Sequence, residues 1–207
     1  MVNVLIAYYS AFGHVFEMAQ AVRDGADSLD NVETRLRKFP EIEQAKENME
    51  GNEMYEESRK EQKDVDVIEL DDLRWADGVC WGTPTRFGNM ASQVKQFIDN
   101  TGGLWIEGAL EDKPAGIFTS SATIHGGQES TILSFMIPLM HHGMVIVGLP
   151  YGDNPQLRTT EGVGGSPYGP STIADSDGSR WPVEEELTGA RNLGKRVAEV
   201  ANQLKDL

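Results

Sequence analysis

Three short loops hold most of the side chains able to do chemistry. The first is Ser10-Ala11-Phe12-Gly13-His14-Val15, placed between an apolar run and residues at helical spacing. A hydroxyl, a glycine and a helix N-terminus form an anion site. The first backbone N–H groups there are unpaired, and the helix dipole adds about half a positive charge. The loop lacks both G-x-x-x-x-G-K-S/T and G-x-G-x-x-G, so it is neither a triphosphate loop nor a dinucleotide fingerprint. Without Lys or Arg it suits a dianionic monophosphate. The same residues also suit a plain capped turn.

The second loop is Gly82-Thr83-Pro84-Thr85-Arg86-Phe87-Gly88-Asn89-Met90. A rigid proline, an aromatic and an arginine together suit the wall of a planar ring with carbonyl oxygens. The third is Thr119-Ser120-Ser121-Ala122-Thr123-Ile124-His125-Gly126-Gly127-Gln128, whose hydroxyls and accessible backbone suit a second wall. Each alone also reads as an ordinary connection.

These loops need strands and helices to aim them. Val2–Tyr9 is a continuous apolar run, as in a parallel strand covered on both faces. Val15, Met18, Ala19, Val22, Ala26 and Leu29 follow at helical spacing. Val32–Leu36 reads as a weaker strand, and Asp77–Gly82 and Ala115–Thr119 as buried ones. Met90, Val94, Phe97 and Ile98 mark a helix between those two. Ser130–Gly152 carries no Asp, Glu, Lys or Arg. With Pro138, His141, His142 and Gly143 in its middle, it reads as a buried helix (Ile132–Met140), a turn and a strand (Met144–Leu149), not a membrane span. Leu187 to Leu204 form a long amphipathic helix. Alternating strands and helices give an α/β fold with right-handed crossovers and helices on both faces of a parallel sheet. Five strands suit the order 2-1-3-4-5, with ligands at the carboxyl ends of the strands.

Composition narrows the function. The chain has 207 residues, 18 Lys+Arg and 33 Asp+Glu, for a net charge of −15. Nucleic-acid binders need a basic footprint, and anionic membrane surfaces attract basic segments, so both are disfavoured. One cysteine, Cys80, excludes an intrachain disulfide and a Cys-based zinc or iron–sulfur site within one chain. It fits a reducing, cytoplasmic setting. The start shows no basic n-region and reads as a strand, not a signal peptide. His141 and His142 are adjacent and do not share a helix face, so no metal is expected. Asp175-Ser176-Asp177-Gly178 lacks the rest of a calcium loop and reads as a turn. Residues 41–74 hold 13 acids and 5 bases, most of the acidic excess. That excess is expected to reflect adaptation to high salt.

The chain resembles the WrbA family, flavodoxin-like NAD(P)H:quinone oxidoreductases. The resemblance runs nearly end to end. It rests on Gly82–Met90, Asn100-Thr101-Gly102-Gly103-Leu104-Trp105, His125-Gly126-Gly127-Gln128-Glu129, His141-His142-Gly143-Met144, Gly165-Ser166-Pro167-Tyr168-Gly169 and Asp177-Gly178-Ser179-Arg180. It implies a flavodoxin-like three-layer sandwich, FMN, NADH or NADPH as co-substrate, a quinone acceptor and a homotetramer. One domain over residues 1–207 is expected, with an acidic insertion at about 40–66 and a Gly/Ser/Pro-rich insertion at about 151–182.

Carried over by position, the FMN contacts fall on Ser10, Ala11, Phe12, Gly13, His14 and Val15; on Thr85, Arg86 and Phe87; and on Ser120, Ser121, Ala122, Thr123, His125 and Gly126. A flavin-side histidine falls on His141 and a substrate-face aromatic on Trp105. Phe12 is also a substrate-side residue, and it stands where many members have Tyr. The third loop is about one residue longer than the family's Gly-rich form, which shifts its register. Arg86 and His141 are the expected catalytic residues. Arg86 would offset charge on the reduced cofactor, and His141 would donate to flavin or quinone near neutral pH; a packing role for His141 stays open. Trp105 is expected in an exposed loop. The cofactor carries the redox chemistry and the protein orients it, so the two substrates are expected to alternate in ping-pong order. A flavodoxin-type electron carrier and a flavin-bound interaction protein are the competing readings.

Overall fold

The apolar run at the start forms strand β1 (Val2–Tyr8), whose side chains go alternately into two cores. The computed structural model describes residues 1–205. β1 pairs in parallel with β2 (Val32–Lys38) on one side and β3 (Gly78–Pro84) on the other. β4 (Pro114–Ser121) and β5 (Val145–Val147) extend the sheet to the order β2-β1-β3-β4-β5, the order expected from the sequence.

A sixth strand was not expected. β5 covers only Pro114–Gly116 of β4, and β6 (Ser171–Ile173) runs parallel along Thr119–Ser121. The strand expected over Met144–Leu149 is therefore cut to three residues. Leu149 donates its N–H to Pro167 O, so the inserted segment replaces β4 as its partner. Between these two strands, Pro155–Arg158 makes a single 3-10 turn.

Leu5, Ala7, Tyr9, Val79, Trp81, Ala115 and Ile117 face one layer of helices. That layer holds α4 (Leu70–Trp75), α5 (Ser92–Asp99), α6 (Gly102–Ile106) and α7 (Gln128–His141). Val4, Ile6, Tyr8, Cys80 and Phe118 face α1 (His14–Asp27) and α8 (Glu184–Leu204). Two-sided coverage explains why β1, β3 and β4 are apolar through their middles. β2 is an edge strand and reads weakly for that reason. Its Arg35 and Arg37 reach Asp72 at 3.1 and 3.2 Å, beside Asp72's bond to the Glu69 N–H at the start of α4. Burial pushes the Cys80 thiol well above its ordinary pKa, leaving it an inert core group.

The acidic segment after β2 is helical, not a loop: α2 (Glu43–Met49) and α3 (Glu53–Glu61). Asn52 caps α3 by accepting the Tyr55 N–H at 3.1 Å. The Glu41 carboxylate ties the segment down. It accepts from the Tyr55 hydroxyl (2.9 Å), the Tyr9 hydroxyl (3.1 Å) and Gln93 Nε2 (2.6 Å). Burial and the bond to Glu41 raise the Tyr55 pKa to about 12. α2 buries no residue. Among the described residues no helix is long and apolar enough to cross a membrane.

The acids of this segment repel one another at low ionic strength. At molar salt the Debye length falls to roughly 3 Å and the repulsion fades. The melting temperature is therefore expected to rise between low and molar KCl. A gain of about 1 kcal/mol corresponds to about 3 °C in a chain of this size. A flat or falling melting temperature would leave the acidity as an ordinary solvated surface.

Candidate active site

The carboxyl ends of β1, β3 and β4 open into one cavity of about 440 Å³. Ser10, Ala11, Phe12, His14 and Val15 line it from the first loop, Thr85 and Arg86 from the second, and Ser120, Ser121 and Ala122 from the third. Ten of the predicted site residues thus meet at the switch in strand order.

The first loop is built as a cradle. Gly13 takes φ +93, and its N–H donates to Ser10 Oγ at 3.1 Å. Glu17 makes the first intrahelical bond, to Gly13 O. Among the described residues the N–H groups of His14, Val15 and Phe16 have no acceptor. The His14 ring does not add charge. It stacks on Trp181 with centroids 4.8 Å apart and donates through Nε2 to Gly178 O at 3.0 Å. Burial holds its pKa below the ordinary value, so it is neutral at pH 7. The cradle therefore offers backbone N–H groups and the helix dipole, and no cation.

Thr85 links the other two loops. Its hydroxyl accepts from the Gly88 N–H and sits 2.7 Å from Thr131 Oγ1 of α7, and its N–H donates to Ser120 O. Arg86 and Asn89 exchange backbone hydrogen bonds in a tight turn. The turn places Phe87 in the left-handed region at φ +54, fully exposed. Phe87 therefore points away from the cavity. Thr123 and His125 also lie outside its lining and border a shallower depression beside Ala122. Gly126 donates its N–H to Thr123 O within that same turn.

His141 and Trp105 share a different depression, with Thr101, Ile137 and His142. Trp105 Nε1 donates to His141 O at 2.9 Å. Trp105 is exposed, as expected, but it sits on the short helix α6 and not in a loop. His142 turns inward, its Nε2 2.8 Å from Thr101 Oγ1, and burial lowers its pKa.

Sequence reasoning missed one wall of the cavity. Asn52 and Met54 reach it from the acidic insertion, and Ala174–Gly178 from the second insertion. The two insertions meet over it: a Cβ at Gly178 would lie 3.0 Å from Met54 Sδ. The signal was the Asp- and Gly-rich stretch itself, since Asp175 and Gly178 both adopt positive φ. Nothing local reveals that this turn folds back across 160 residues. The hub that makes it do so is Glu186 of α8, fully buried. It accepts from Arg180 Nη2 (3.0 Å), Thr172 Oγ1 (2.7 Å) and the Gly164 N–H (2.8 Å).

The comparisons agree with this geometry. Residues 5–152 match the family model described as NADPH-dependent FMN reductase. An NAD(P)H dehydrogenase (quinone) of Syntrophobacter fumaroxidans is 52% identical over 202 residues, covering 98% of each chain. One from Geobacter sulfurreducens is 51% identical over 204 residues, again covering 98% of each. The chain belongs to the WrbA family of NAD(P)H dehydrogenases (quinone). Among solved structures, a flavodoxin, WrbA-like protein from Agrobacterium tumefaciens superposes with a TM-score of 0.66 at 28% identity, covering 98% of this chain and 99% of that one. An archaeal flavodoxin, at 17% identity and a TM-score of 0.59, shares the fold.

FMN suits this WrbA-family cavity. Free N–H groups at the start of α1 match a phosphate dianion, and a methyl at Gly13 would meet Trp181 at 2.7 Å, so the cradle admits only glycine there. The hydroxyl-rich walls beyond it match a polar ring edge.

Proposed function

We propose that the protein is an FMN-dependent NAD(P)H:quinone oxidoreductase in which donor and acceptor use one open face in turn. The cation-free phosphate cradle and the two hydroxyl-rich walls meeting at one cavity carry this reading. Bound there, FMN supplies two-electron transfer between nicotinamide and quinone.

The chain's own residues bind and orient. The N–H groups of His14, Val15 and Phe16, with the α1 dipole, hold the phosphate. Thr85, Ser120 and Ser121 line the ring's sides, and Arg86 at the rim offsets negative charge that develops there. Phe12 bounds the open face. Phe87, Thr123, His125 and Gly126 contact the cofactor through backbone or after closing inward. His141 supplies a proton and Trp105 stacks on the substrate, and both reach the cavity from a neighbouring subunit of a homotetramer. Support for that assembly lies on the same helix as His141. Leu133, Ile137 and Met140 form an exposed apolar stripe on α7, next to exposed Trp105 and Ile106. A cytoplasmic setting fits the lone buried thiol.

The test is NADH oxidation with FMN and a small benzoquinone. Parallel double-reciprocal lines, lost when FMN is removed, are the expected result. Converging lines would remove the ping-pong order. FMN binding without turnover, with NADPH tried as well, would leave the carrier and interaction-protein readings.

A further inference from the structure

A second opening adjoins the FMN cavity and shares Arg86 with it. This groove, of about 900 Å³, runs between α2 and α5. One wall is Ala45 and Met49, four residues apart on one face of α2, with Ile42 at the helix's N-cap. The other includes Met90 and Gln96. No residue of α2 is fully buried, and only Met49 at its end packs partly against the core. Its apolar stripe faces the groove.

The charges around the groove narrow the occupant. The chain carries −15 and repels anions. Lys95 of this groove is committed to Asp99. Arg86 pairs with no carboxylate among the described residues, and its Nη1 donates only to the Thr85 carbonyl. One unneutralised cation thus stands where groove and cavity meet. A quinone tail has no use for a cation at that point. A diphosphate does, and the apolar stripe with amide side chains beyond it suits a purine and its ribose.

We infer that this groove receives the adenosine-diphosphate half of the nicotinamide donor, with Arg86 facing the diphosphate. The inference rests on the quinone-reductase reading above. It makes the acidic insertion a substrate-binding element: α2 supplies a wall that the core lacks.

The test compares two donors on the FMN-loaded protein: NADH and 1-benzyl-1,4-dihydronicotinamide, which has the ring without the adenosine diphosphate. Ala45→Glu and Met49→Glu each place a carboxylate in the groove, on a helix that tolerates Glu. The KM for NADH is expected to rise about tenfold in each, with kcat little changed. The KM for the benzyl donor should not move. Free ADP should bind the unaltered protein, compete with NADH, and bind both variants more weakly by equilibrium dialysis. Equal shifts for both donors, or no shift for either, would overturn the assignment. So would a rise in KM confined to a long-tailed quinone, which would give the groove to the acceptor. If the unaltered protein binds FMN and oxidises neither donor, the quinone-reductase reading itself fails and the assignment falls with it.

Discussion

Replacing Glu186 with alanine is expected to cost about 3 kcal/mol of stability and to weaken FMN binding about tenfold. Glu186 is 1% exposed and sits in the first turn of α8. Its carboxylate accepts from Arg180 at 3.0 and 3.1 Å, Thr172 Oγ1 at 2.7 Å, and the Gly164 and Val183 N–H groups at 2.8 and 3.1 Å. Alanine leaves a guanidinium and several buried donors without a partner. Removing one member of a fully buried pair costs about 3–5 kcal/mol; Arg180 is 27% exposed, so the lower figure applies. The loss is also functional. Gly164, Thr172 and Arg180 frame the segment that carries Ala174–Gly178 to the cavity, and Arg180 donates its N–H to Ala174 O. Glu186→Gln keeps one acceptor oxygen, turns the other into an NH2 donor that faces donors, and loses the charge, so it should fall between wild type and alanine. Urea denaturation of the apoprotein and fluorescence titration with FMN check both numbers. Lost stability with unchanged FMN affinity would show that the second insertion does not shape the cavity.

Gly194→Ala is expected to destabilise by about 3 kcal/mol, although alanine is the better helix former by about 1 kcal/mol. α1 and α8 cross with backbone against backbone. A Cβ at Gly194 would lie 1.8 Å from Val22 O, and one at Gly25 would lie 1.9 Å from Arg191 O. A carbonyl in a helix cannot turn aside, so the helices must part along Val22, Ala26, Leu193 and Val197. The melting temperature should fall by about 10 °C. Gly103→Ala is the control. It lies in α6 with nothing within 4 Å of its Cβ, and is expected to be neutral or slightly stabilising. Equal effects at the two positions would mean that backbone propensity, not the close crossing, decides. α1 also presents the phosphate cradle at its N-terminus, so Gly194→Ala should weaken FMN binding as well.

The order of the sheet was legible because apolar runs and helical stripes depend on local periodicity. β2 read weakly because Arg35 and Arg37 find their partner, Asp72, 37 and 35 residues away. α2 and α3 read only as an acidic insertion without assigned helices. Their buried contacts are few, and α3 is held by Tyr55 meeting Glu41 and by the cap at Asn52. β6 was invisible in a Gly/Ser/Pro-rich stretch. Only the free edge of β4, left by a three-residue β5, makes Ser171–Ile173 a strand.

The sequence by itself determined the alternation of elements, the strand order and the three loops at the strand ends. Hydrophobic period and loop chemistry are written locally, and the crossover rule does the rest. Tertiary structure decided which of the loop residues share the cavity. It turned His14 onto Trp181, aimed Phe87 outward, closed the cavity with Asn52, Met54 and Ala174–Gly178, and set His141 and Trp105 in a separate depression. The placements of His14 and of Ala174–Gly178 hang on contacts between segments more than a hundred residues apart, such as His14 with Gly178. No local pattern encodes a contact whose energy exists only once both segments are already in place.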